Sequence, residues 1–496
     1  MRNILIQHKQ FVLFIGLLSL FRVVYLNFIP LTPQEAYYWY YSLKPALSYF
    51  DHPPMAAYSI WLGTLLFGKT VFGVKIMAVV WSLLTNILIY LTVLRTKDEL
   101  EFSQQKQIAL FVVLLFNLTI FTHLYSIVIV PDSPLLFFWV LIIFLTREFL
   151  KNGRKVHLLL AGAALGFGMV SKYTALAVLP AIFLELLLNP QRRRIFLKPH
   201  PYLALLLTII AFGPVILWNF SHDWVSFKFQ FGQRTTSDIK PLQLKYFFQL
   251  IASQLFMLTP YIVVLFLLLA KKLLFGWPKF LSERFFLLTG VFIIGGFTLY
   301  SFTSLVKMNW LLPGYIGLII VAGLVFYKER IFSGKWMKTG LLSSLALIVL
   351  SHLILLIPNI PLGDGNTWSG WDDAAKEISE IQTAYGAEND CFIFTNSYKE
   401  ASLLRFYLPV EQEVYAQNIY DEPALQFDIW GIPDSLRGKN ALYVFSDRRE
   451  NPNNLDKLKN YFSNIKLIKK FEFRFTGNIL TRTIYCYLCE NYAGAN

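Results

Sequence analysis

The sequence predicts a polytopic α-helical membrane protein of about eleven transmembrane helices, followed by a C-terminal soluble α/β domain. Hydrophobic residues make up 55% of the chain and charged residues 15%, with a mean hydropathy of +0.49. Soluble proteins carry about 25% charged residues. Apolar runs of nearly spanning length recur up to residue 358 and then stop. These observations exclude an ordinary soluble enzyme.

The predicted spans follow from the length that a helix needs to cross a bilayer, about 20 apolar residues. No small-residue cleavage site follows the first run, which therefore predicts a retained helix rather than a signal peptide. Two runs, 158–170 and 174–188, are short and predict tilted or broken helices. The predicted spans, in order, are 11–29, 71–94, 108–127, 134–149, 158–170, 174–188, 202–219, 246–270, 285–304, 309–327 and 339–358.

Lysine and arginine concentrate in alternate connections, and such connections lie in the cytoplasm of membrane proteins. This pattern predicts a membrane protein with a cytoplasmic N-terminus and an extracytoplasmic C-terminal domain. The net charge of +14 then reflects topology and contact with anionic membrane lipid, not nucleic-acid binding. The same parity places these segments outside: 30–70, 128–133, 171–173, 220–245, 305–308 and everything after 359.

The composition changes near residue 360, which divides a membrane module, 1–360, from a soluble domain, 361–496. In this second part nineteen acidic residues face fourteen basic ones. All three cysteines lie there and predict structural packing, although an outer location also permits a disulfide. Helix-like and strand-like stretches alternate and predict a small α/β domain: helices at 371–385, 397–407 and 454–463, strands at 391–394, 441–445 and 483–488.

Five of the twelve acidic residues in the membrane module fall in predicted outer segments. Glu35, Asp51 and Asp132 lie near helix ends beside prolines, which interrupt helices and let loop backbone line a cavity. The alternative for each is an interfacial residue or a helix cap. The other two are Asp223 and Asp238.

Cations on the same predicted side complement these acids. Lys172, Lys307 and Arg234 interrupt or end apolar and aromatic stretches, where a lipid-borne phosphate would need such partners. Arg22 lies inside the first apolar run and must face protein or a polar cavity, because an unpaired charge there is costly. Snorkelling to the interface explains Lys69 and Lys75.

Acids, cations and aromatics at the outer membrane face suit a reaction with a lipid-linked donor. The sequence contains no glycine-rich phosphate loop of the common types, and nucleotide sugars are absent outside the cell. We therefore expect a polyprenyl-phosphate sugar as donor, with one carboxylate acting as general base on an acceptor hydroxyl while cations stabilise the departing phosphate.

At this point the chain resembles a known family over about residues 1–330: the bacterial glycosyltransferases similar to dolichyl-phosphate-mannose protein mannosyltransferases. These have the GT-C fold and are similar to the 4-amino-4-deoxy-L-arabinose lipid A transferases. A weaker similarity continues through residues 401–409. The resemblance rests on six motifs in order: Gln34-Glu35-Ala36-Tyr37-Tyr38-Trp39, Tyr49-Phe50-Asp51-His52-Pro53-Pro54, Pro131-Asp132-Ser133-Pro134-Leu135, Ser171-Lys172-Tyr173-Thr174-Ala175, Trp218-Asn219 with His222-Asp223-Trp224, and Lys307-Met308-Asn309-Trp310.

The resemblance implies an inverting glycosyltransferase with its active site in the first outer loop, 30–70. The family usually has Asp-Glu where this chain has Gln34-Glu35, and that aspartate normally has the catalytic role. A glutamine cannot remove a proton at neutral pH. Glu35 therefore takes the role of base, with Asp51 as second candidate and Asp132 as a further site residue. The donor phosphate is assigned to Lys172, Lys307, Arg234 and Arg22, and the substrate-lining residues are Gln34, Tyr37, Tyr38, His52, His222, Asp223, Asn309 and Trp310.

Several alternatives stay open from the sequence. The acceptor is lipid A, another glycan or a protein hydroxyl. Members of this family differ over a divalent metal, and no ligand cluster in this sequence decides the matter. A polytopic lipid or glycan transporter, or a catalytically degenerate assembly protein, is the rival to an enzyme; a transporter would show internal repeats and charges near the bilayer midplane.

Overall fold

The computed structural model describes nine stretches of the chain, and all structural statements refer to them. They are 7–96, 99–233, 241–276, 283–327, 334–361, 368–386, 391–419, 423–447 and 455–494. Arg234, predicted to bind phosphate, lies outside the described residues.

The apolar runs form helices, and the predicted helical membrane bundle is confirmed. Within the described stretches, six helical segments are long and apolar enough to cross a bilayer, and five shorter apolar helices accompany them. The helices up to residue 356 are α1 Lys9–Tyr25, α2 Pro33–Leu43, α3 Met55–Phe67, α4 Val71–Leu94, α5 Phe102–Phe116, α6 Ile120–Leu124, α7 Asp132–Asn152, α8 Lys155–Ser171, α9 Leu179–Leu188, α10 His200–Ser221, α11 Leu244–Gly276, α12 Arg284–Tyr300, α13 Leu312–Phe326 and α14 Lys335–Leu356.

Some predicted spans are interrupted. The run at 108–127 stops as a helix at Phe116 and resumes as the short α6. Within α11, Thr259 has a non-helical backbone, with φ 68° and ψ 154°. The following Pro260 has no N–H to donate, and the Thr259 hydroxyl donates to the Leu118 carbonyl at 2.8 Å. Prolines and neighbouring polar groups thus break helices where the apolar pattern alone predicts continuity.

The predicted first outer loop contains two helices. α2 carries the aromatic motif, and α3, of 13 residues, is about 20 Å long, shorter than a hydrocarbon core of about 30 Å. The snorkelling interpretation of Lys75 is wrong, because this side chain is fully buried in α4.

The chain folds into two compact units, and the division does not follow one cut along the sequence. The bundle unit comprises Met1–Leu26, His52–Ala56 and Lys75–His352. The sheet unit comprises Asn27–Asp51, Ala57–Val74 and Leu353–Asn496. Most of the first predicted outer loop therefore groups with the C-terminal residues, a long-range association that composition along the chain does not reveal.

Small residues let helices of the bundle unit approach closely. A Cβ added to Gly162 of α8 would lie 2.2 Å from the Ala204 carbonyl oxygen of α10. A Cβ added to Gly323 of α13 would lie 2.3 Å from a Val112 side-chain carbon of α5. Such close approaches are typical of helices that pack within a membrane, where dispersion replaces the hydrophobic effect between helices.

The sheet unit contains the predicted α/β domain, built on a mixed five-stranded sheet of order β2-β1-β3-β5-β4. β1 pairs in parallel with β2 and β3, and β5 pairs antiparallel with β3 and β4. Cys391, Cys486 and Cys489 are buried and free, as structural packing predicts. The elements are α15 Trp371–Ala384, β1 Cys391–Thr395, α16 Tyr398–Tyr407, β2 Val414–Ala416, α17 Gln426–Trp430, β3 Asn440–Ser446, β4 Asn464–Phe475 and β5 Ile479–Glu490.

Candidate active site

The first helix of the site begins with a capping box. Thr32 is the N-cap of α2, and its hydroxyl accepts a hydrogen bond from the Glu35 backbone N–H at 3.3 Å. In return, Glu35 Oε2 accepts from the Thr32 N–H at 3.1 Å and from its hydroxyl at 2.9 Å. Glu35 is fully buried. One function of this carboxylate is therefore structural, because it satisfies donors that the start of the helix leaves unpaired.

Asp51 sits in a pocket of tyrosine hydroxyls. Its Oδ1 atom accepts from the Tyr41 hydroxyl at 2.5 Å and lies 3.2 Å from the Tyr37 hydroxyl, and the two hydroxyls are 2.6 Å apart. Tyr37 and Tyr41 are one helical turn apart on α2, so they share a face. Asp51 is only 3% exposed.

The two tyrosines remain protonated near Asp51. Burial, and next the negative charge of Asp51, raise the pKa of both phenols well above the ordinary value. Each hydroxyl carries a single hydrogen, so two hydrogens serve three oxygen–oxygen contacts. Asp51 is thus linked to a short chain of hydroxyls along which a proton can be shared.

Gln426 of α17 supports this cluster from 376 positions further along the chain. Its side-chain oxygen accepts from the Phe50 N–H at 2.8 Å, and its own backbone N–H donates to the Tyr37 hydroxyl at 3.1 Å. The Gln426 side chain therefore holds the backbone next to Asp51. The Gln426 backbone N–H holds one of the two hydroxyls that contact Asp51. The sequence contains no signal for this pairing.

A second polar group lies further along α2. Glu413 accepts from the Tyr40 hydroxyl at 2.6 Å and from Lys44 Nζ at 2.9 Å, and Lys44 also lies 4.8 Å from the Trp430 ring centroid. Burial by itself raises the pKa of Glu413, but the hydrogen bonds from Tyr40 and Lys44 outweigh it and lower this pKa. Glu413 therefore stays ionised.

The bundle unit holds a different acid cluster. Asp132, the first residue of α7, receives Lys172 Nζ on both oxygens, at 2.8 and 3.0 Å. Asn309 Nδ2 donates to Asp132 Oδ2 at 2.7 Å. Asp132 is 2% and Lys172 7% exposed. Residues from three of the six motifs thus meet, as a buried ion pair and an amide that donates to it. The sequence treats these residues as separate site residues.

Arg22 is fully buried and bound to protein. Its guanidinium donates to Ser82 Oγ at 2.9 Å and to Asn117 Oδ1 at 3.0 Å. Asn117 in turn donates to Asn86 Oδ1 at 2.6 Å. This confirms that Arg22 faces protein inside the bundle; its assignment to the donor phosphate stays a prediction.

The other predicted residues occupy varied positions. Lys307 is exposed at the start of a 3₁₀ turn, Met308–Leu311. The Trp310 ring lies 5.1 Å from Phe297. His222 stacks on Trp218 at 4.0 Å, and Asp223 is exposed with a left-handed φ of 51°.

Of the remaining predicted lining residues, Tyr38 is buried, whereas Gln34 and His52 are half-buried. Across the described stretches, no group of three or more histidine, cysteine, aspartate or glutamate side chains is placed to hold a metal ion. Metal dependence stays open.

Comparison with known proteins bears on these observations. Residues 51–218 match the family described as dolichyl-phosphate-mannose-protein mannosyltransferase. The predicted resemblance to this glycosyltransferase family is confirmed. Along 445 residues the chain is 24% identical to the lipid A galacturonosyltransferase RgtD of Rhizobium johnstonii, an alignment that covers 85% of this chain and 88% of the relative.

Solved structures agree at the level of the fold. Crystal structures of ArnT from Cupriavidus metallidurans, one apo and one bound to undecaprenyl phosphate, superpose with TM-scores of 0.64 and 0.63. Each alignment covers 96% of this chain and 98% of ArnT, at 14% identity. The predicted GT-C fold, a membrane bundle followed by a C-terminal mixed-sheet domain, is confirmed. The chain is a multi-pass membrane protein.

The structure adds residues that the motifs miss. Tyr41 has a usable signal, since it lies four positions after Tyr37 on a buried helix face. Gln426 and Glu413 have none, because their relation to α2 arises only in the folded sheet unit. The catalytic and phosphate-binding roles of the predicted residues stay predictions.

Proposed function

We propose that this protein is an inverting glycosyltransferase that moves a sugar from a polyprenyl-phosphate carrier to lipid A or a similar envelope acceptor, on the outer face of the bacterial inner membrane. The observation that carries the proposal is the nearly full-length GT-C fold shared with ArnT, one structure of which contains undecaprenyl phosphate. A relative that spans most of the chain acts on lipid A and supports this acceptor class.

The reaction needs a group that accepts the proton of the acceptor hydroxyl. Glu35 and Asp51 are both candidates, and their surroundings differ. Glu35 contributes an oxygen to the capping box. Asp51 contacts two phenol hydroxyls that carry protons themselves. The hydroxyls beside Asp51 can relay a proton to it, since each can accept one hydrogen while it donates another. We therefore assign the base to Asp51 and a helix-capping function to Glu35.

The departing phosphate needs cationic partners. Lys172 is bound on both oxygens of Asp132, so its charge is already balanced. Lys307 is exposed, and we assign it as the cation that meets the donor phosphate. Asp132 and Lys172 then form a neutral pair. This pair holds Asn309, which belongs to the same short motif as Lys307.

The experiment that tests the enzyme is mass spectrometry of envelope glycolipids from cells with and without the protein. We expect one sugar mass to disappear from one glycolipid when the gene product is absent, and to return with the parent protein. Unchanged glycolipid and glycoprotein masses would overturn the proposal. Unmodified lipid with a build-up of a translocated carrier would indicate a transporter instead.

The same assay, applied to the variant Glu35→Gln, shows whether Glu35 or Asp51 is the base. A glutamine at this position preserves the capping box but cannot accept a proton at neutral pH. We expect this variant to keep most of the parent's transfer and its unfolding temperature. Glu35→Ala, which loses the hydrogen bonds that Glu35 accepts from Thr32, should lower stability by about 1 kcal/mol. Abolished transfer in a stably folded Glu35→Gln protein would return the role of base to Glu35.

A further inference from the structure

An apolar cavity of about 490 Å³ lies in the bundle unit. It is bounded by α8, α9, α10 and a 3₁₀ turn, Arg193–Leu197. Its volume falls within the range of cavities that hold small ligands, about 300–1,000 Å³. The lining residues are Leu158, Ala161, Gly162, Leu165, Leu179, Pro180, Ile182, Phe183, Leu186, Phe196, Pro201, Ala204, Leu205 and Thr208.

The cavity exists because small residues bring α8 and α10 close together, while α9 packs less closely beside them. Gly162 packs directly on the Ala204 backbone, so neither residue offers a side chain to fill the space beside it. Thr208 supplies the one hydroxyl among the lining residues, and it donates to the Gly162 carbonyl at 2.8 Å. Because this hydroxyl is already bonded to the protein, an occupant of the cavity would meet an apolar wall.

The cavity opens sideways and extends along the helices. Phe183 and Leu205, both lining residues, are 51% and 45% exposed on the flank of the bundle, where membrane lipid would meet them. From Pro201, at the start of α10, to Thr208 the helix rises about 10 Å. The shape suits a chain that enters from the helix ends and runs toward the bilayer interior.

The connection at those helix ends is strongly basic. Phe196, a lining residue, belongs to the 3₁₀ turn that also carries Arg193 and Arg194, and Lys198 caps this turn. The three basic side chains are exposed. The turn thus connects the apolar wall directly to a cationic surface.

This positive charge is in excess. Glu185, the carboxylate nearest in sequence, is bound by Arg192 at 3.1 Å and by Arg284 at 3.0 Å. Two arginines therefore already share one glutamate, and it cannot balance the exposed cations of the turn. An anion from outside the chain would complete the arrangement.

We propose that this cavity and its basic rim bind one anionic phospholipid, with an acyl chain between α8, α9 and α10 and the phosphate on Arg193, Arg194 and Lys198. An apolar slot open to the bilayer next to surplus cations is the pattern that basic pockets for acidic headgroups show. The site lies on the side of the membrane predicted to be cytoplasmic, and it is independent of the proposed transfer reaction.

The test is native mass spectrometry of the purified full-length protein with dioleoyl-phosphatidylglycerol, compared with zwitterionic dioleoyl-phosphatidylcholine. We expect one tightly bound phosphatidylglycerol, held at least fivefold more strongly than phosphatidylcholine. The triple variant R193Q/R194Q/K198Q should lose that fivefold preference. Ala161→Phe, which fills the cavity, should weaken both lipids.

Matched controls separate this site from general attraction to acidic lipid. The triple variant K271Q/K335Q/K338Q removes equal charge from other exposed positions on the same predicted side, and Ala163→Phe adds the same ring two positions from Ala161, outside the lining. Both should bind phosphatidylglycerol within twofold of the parent, with every variant keeping the parent's unfolding temperature in lipid-free detergent.

Three outcomes would overturn the proposal. Equal loss in the two charge triples would indicate only a diffuse electrostatic effect. Displacement of phosphatidylglycerol by millimolar inorganic phosphate would mean that the apolar cavity contributes nothing. Undecaprenyl phosphate binding with the same dependence on Ala161 and the three cations, in competition with phosphatidylglycerol, would assign the cavity to the carrier lipid.

Discussion

Asp51 in the sheet unit and Asp132 in the bundle unit are both buried carboxylates, yet their partners differ. Asp132 receives an ammonium group and an amide, so the cluster is electrically balanced. Asp51 contacts phenol hydroxyls whose raised pKa keeps them protonated. A balanced ion pair contributes position and stability, whereas a carboxylate among hydroxyls can exchange a proton. The same residue type therefore has different chemistry in the two units.

Asp51→Asn tests the proposed proton exchange at Asp51 and has the largest expected effect. We expect the rate of sugar transfer to fall by about 10²–10⁴-fold, the usual contribution of a general base, because the amide cannot accept the proton. Product formation by membranes, measured by mass spectrometry, gives the rate. Asp434→Asn, at an exposed carboxylate of the same unit that pairs with Arg437, is the matched control and should leave the rate unchanged. Full transfer by Asp51→Asn would contradict the assignment.

Breaking the other cluster should act mainly on stability. Asp132→Asn or Lys172→Met alone leaves a buried charge without its partner and should cost about 3–5 kcal/mol of unfolding free energy. The double variant removes both charges, and we expect it to recover a large part of that loss. Thermal unfolding in detergent provides the measurement. Additive losses in the double variant would show that the two side chains do not form an energetically coupled pair.

Gln426 tests whether the position of Asp51 matters, because it bonds the Phe50 backbone next to Asp51 and the Tyr37 hydroxyl. Gln426→Leu removes the acceptor for the Phe50 N–H, and we expect transfer to fall about tenfold from misplaced geometry. Gln426→Glu keeps an acceptor oxygen there and should restore most of the rate. The pH dependence of transfer should keep its form in the leucine variant, which adds no charge, and should shift in the glutamate variant, which places a second carboxyl group near Asp51. Equal rates in both would exclude a positioning function.

The smallest expected effect concerns Glu413 and Lys44, whose side chains are 36% and 39% exposed. Because such pairs are screened by water, Glu413→Gln should cost less than about 1 kcal/mol. The pKa of Glu413 is lowered, so its contribution is complete above its ordinary pKa of 4.5 and is lost as the pH falls through the lowered value.

Unfolding temperatures of the parent and Glu413→Gln proteins should therefore differ slightly at pH 7 and converge in acid. If the two unfolding temperatures differed more below about pH 4 than at pH 7, the lowered pKa of Glu413 would be contradicted.

The sequence predicts local features of the fold well, because they depend on neighbouring residues. The span at 71–94 coincides with Val71–Leu94, and the strands at 391–394 and 441–445 lie within β1 and β3. β4 is missed, since its alternation includes several lysines on an exposed edge. α3 is missed as well, because its 13 residues fall short of a full span.

The candidate site shows the same limit. Glu35, Asp51, Asp132 and Lys172 are all identifiable from unusual charges in apolar or aromatic surroundings. Their partners are not: Lys172 lies 40 positions from Asp132, and Gln426 lies 376 from Phe50. A motif states which groups are present but not which of them neutralise one another.

Hydrophobic length, charge asymmetry and motif order by themselves determine a membrane bundle, its helices and its resemblance to lipid-linked glycosyltransferases, since each is written in short stretches of chain. Only the tertiary structure decides that Lys172 is bound by Asp132 and that tyrosine hydroxyls surround Asp51. The physical reason is that the chemistry of a buried charge depends on the groups within about 3 Å of it, and folding brings those groups from distant positions.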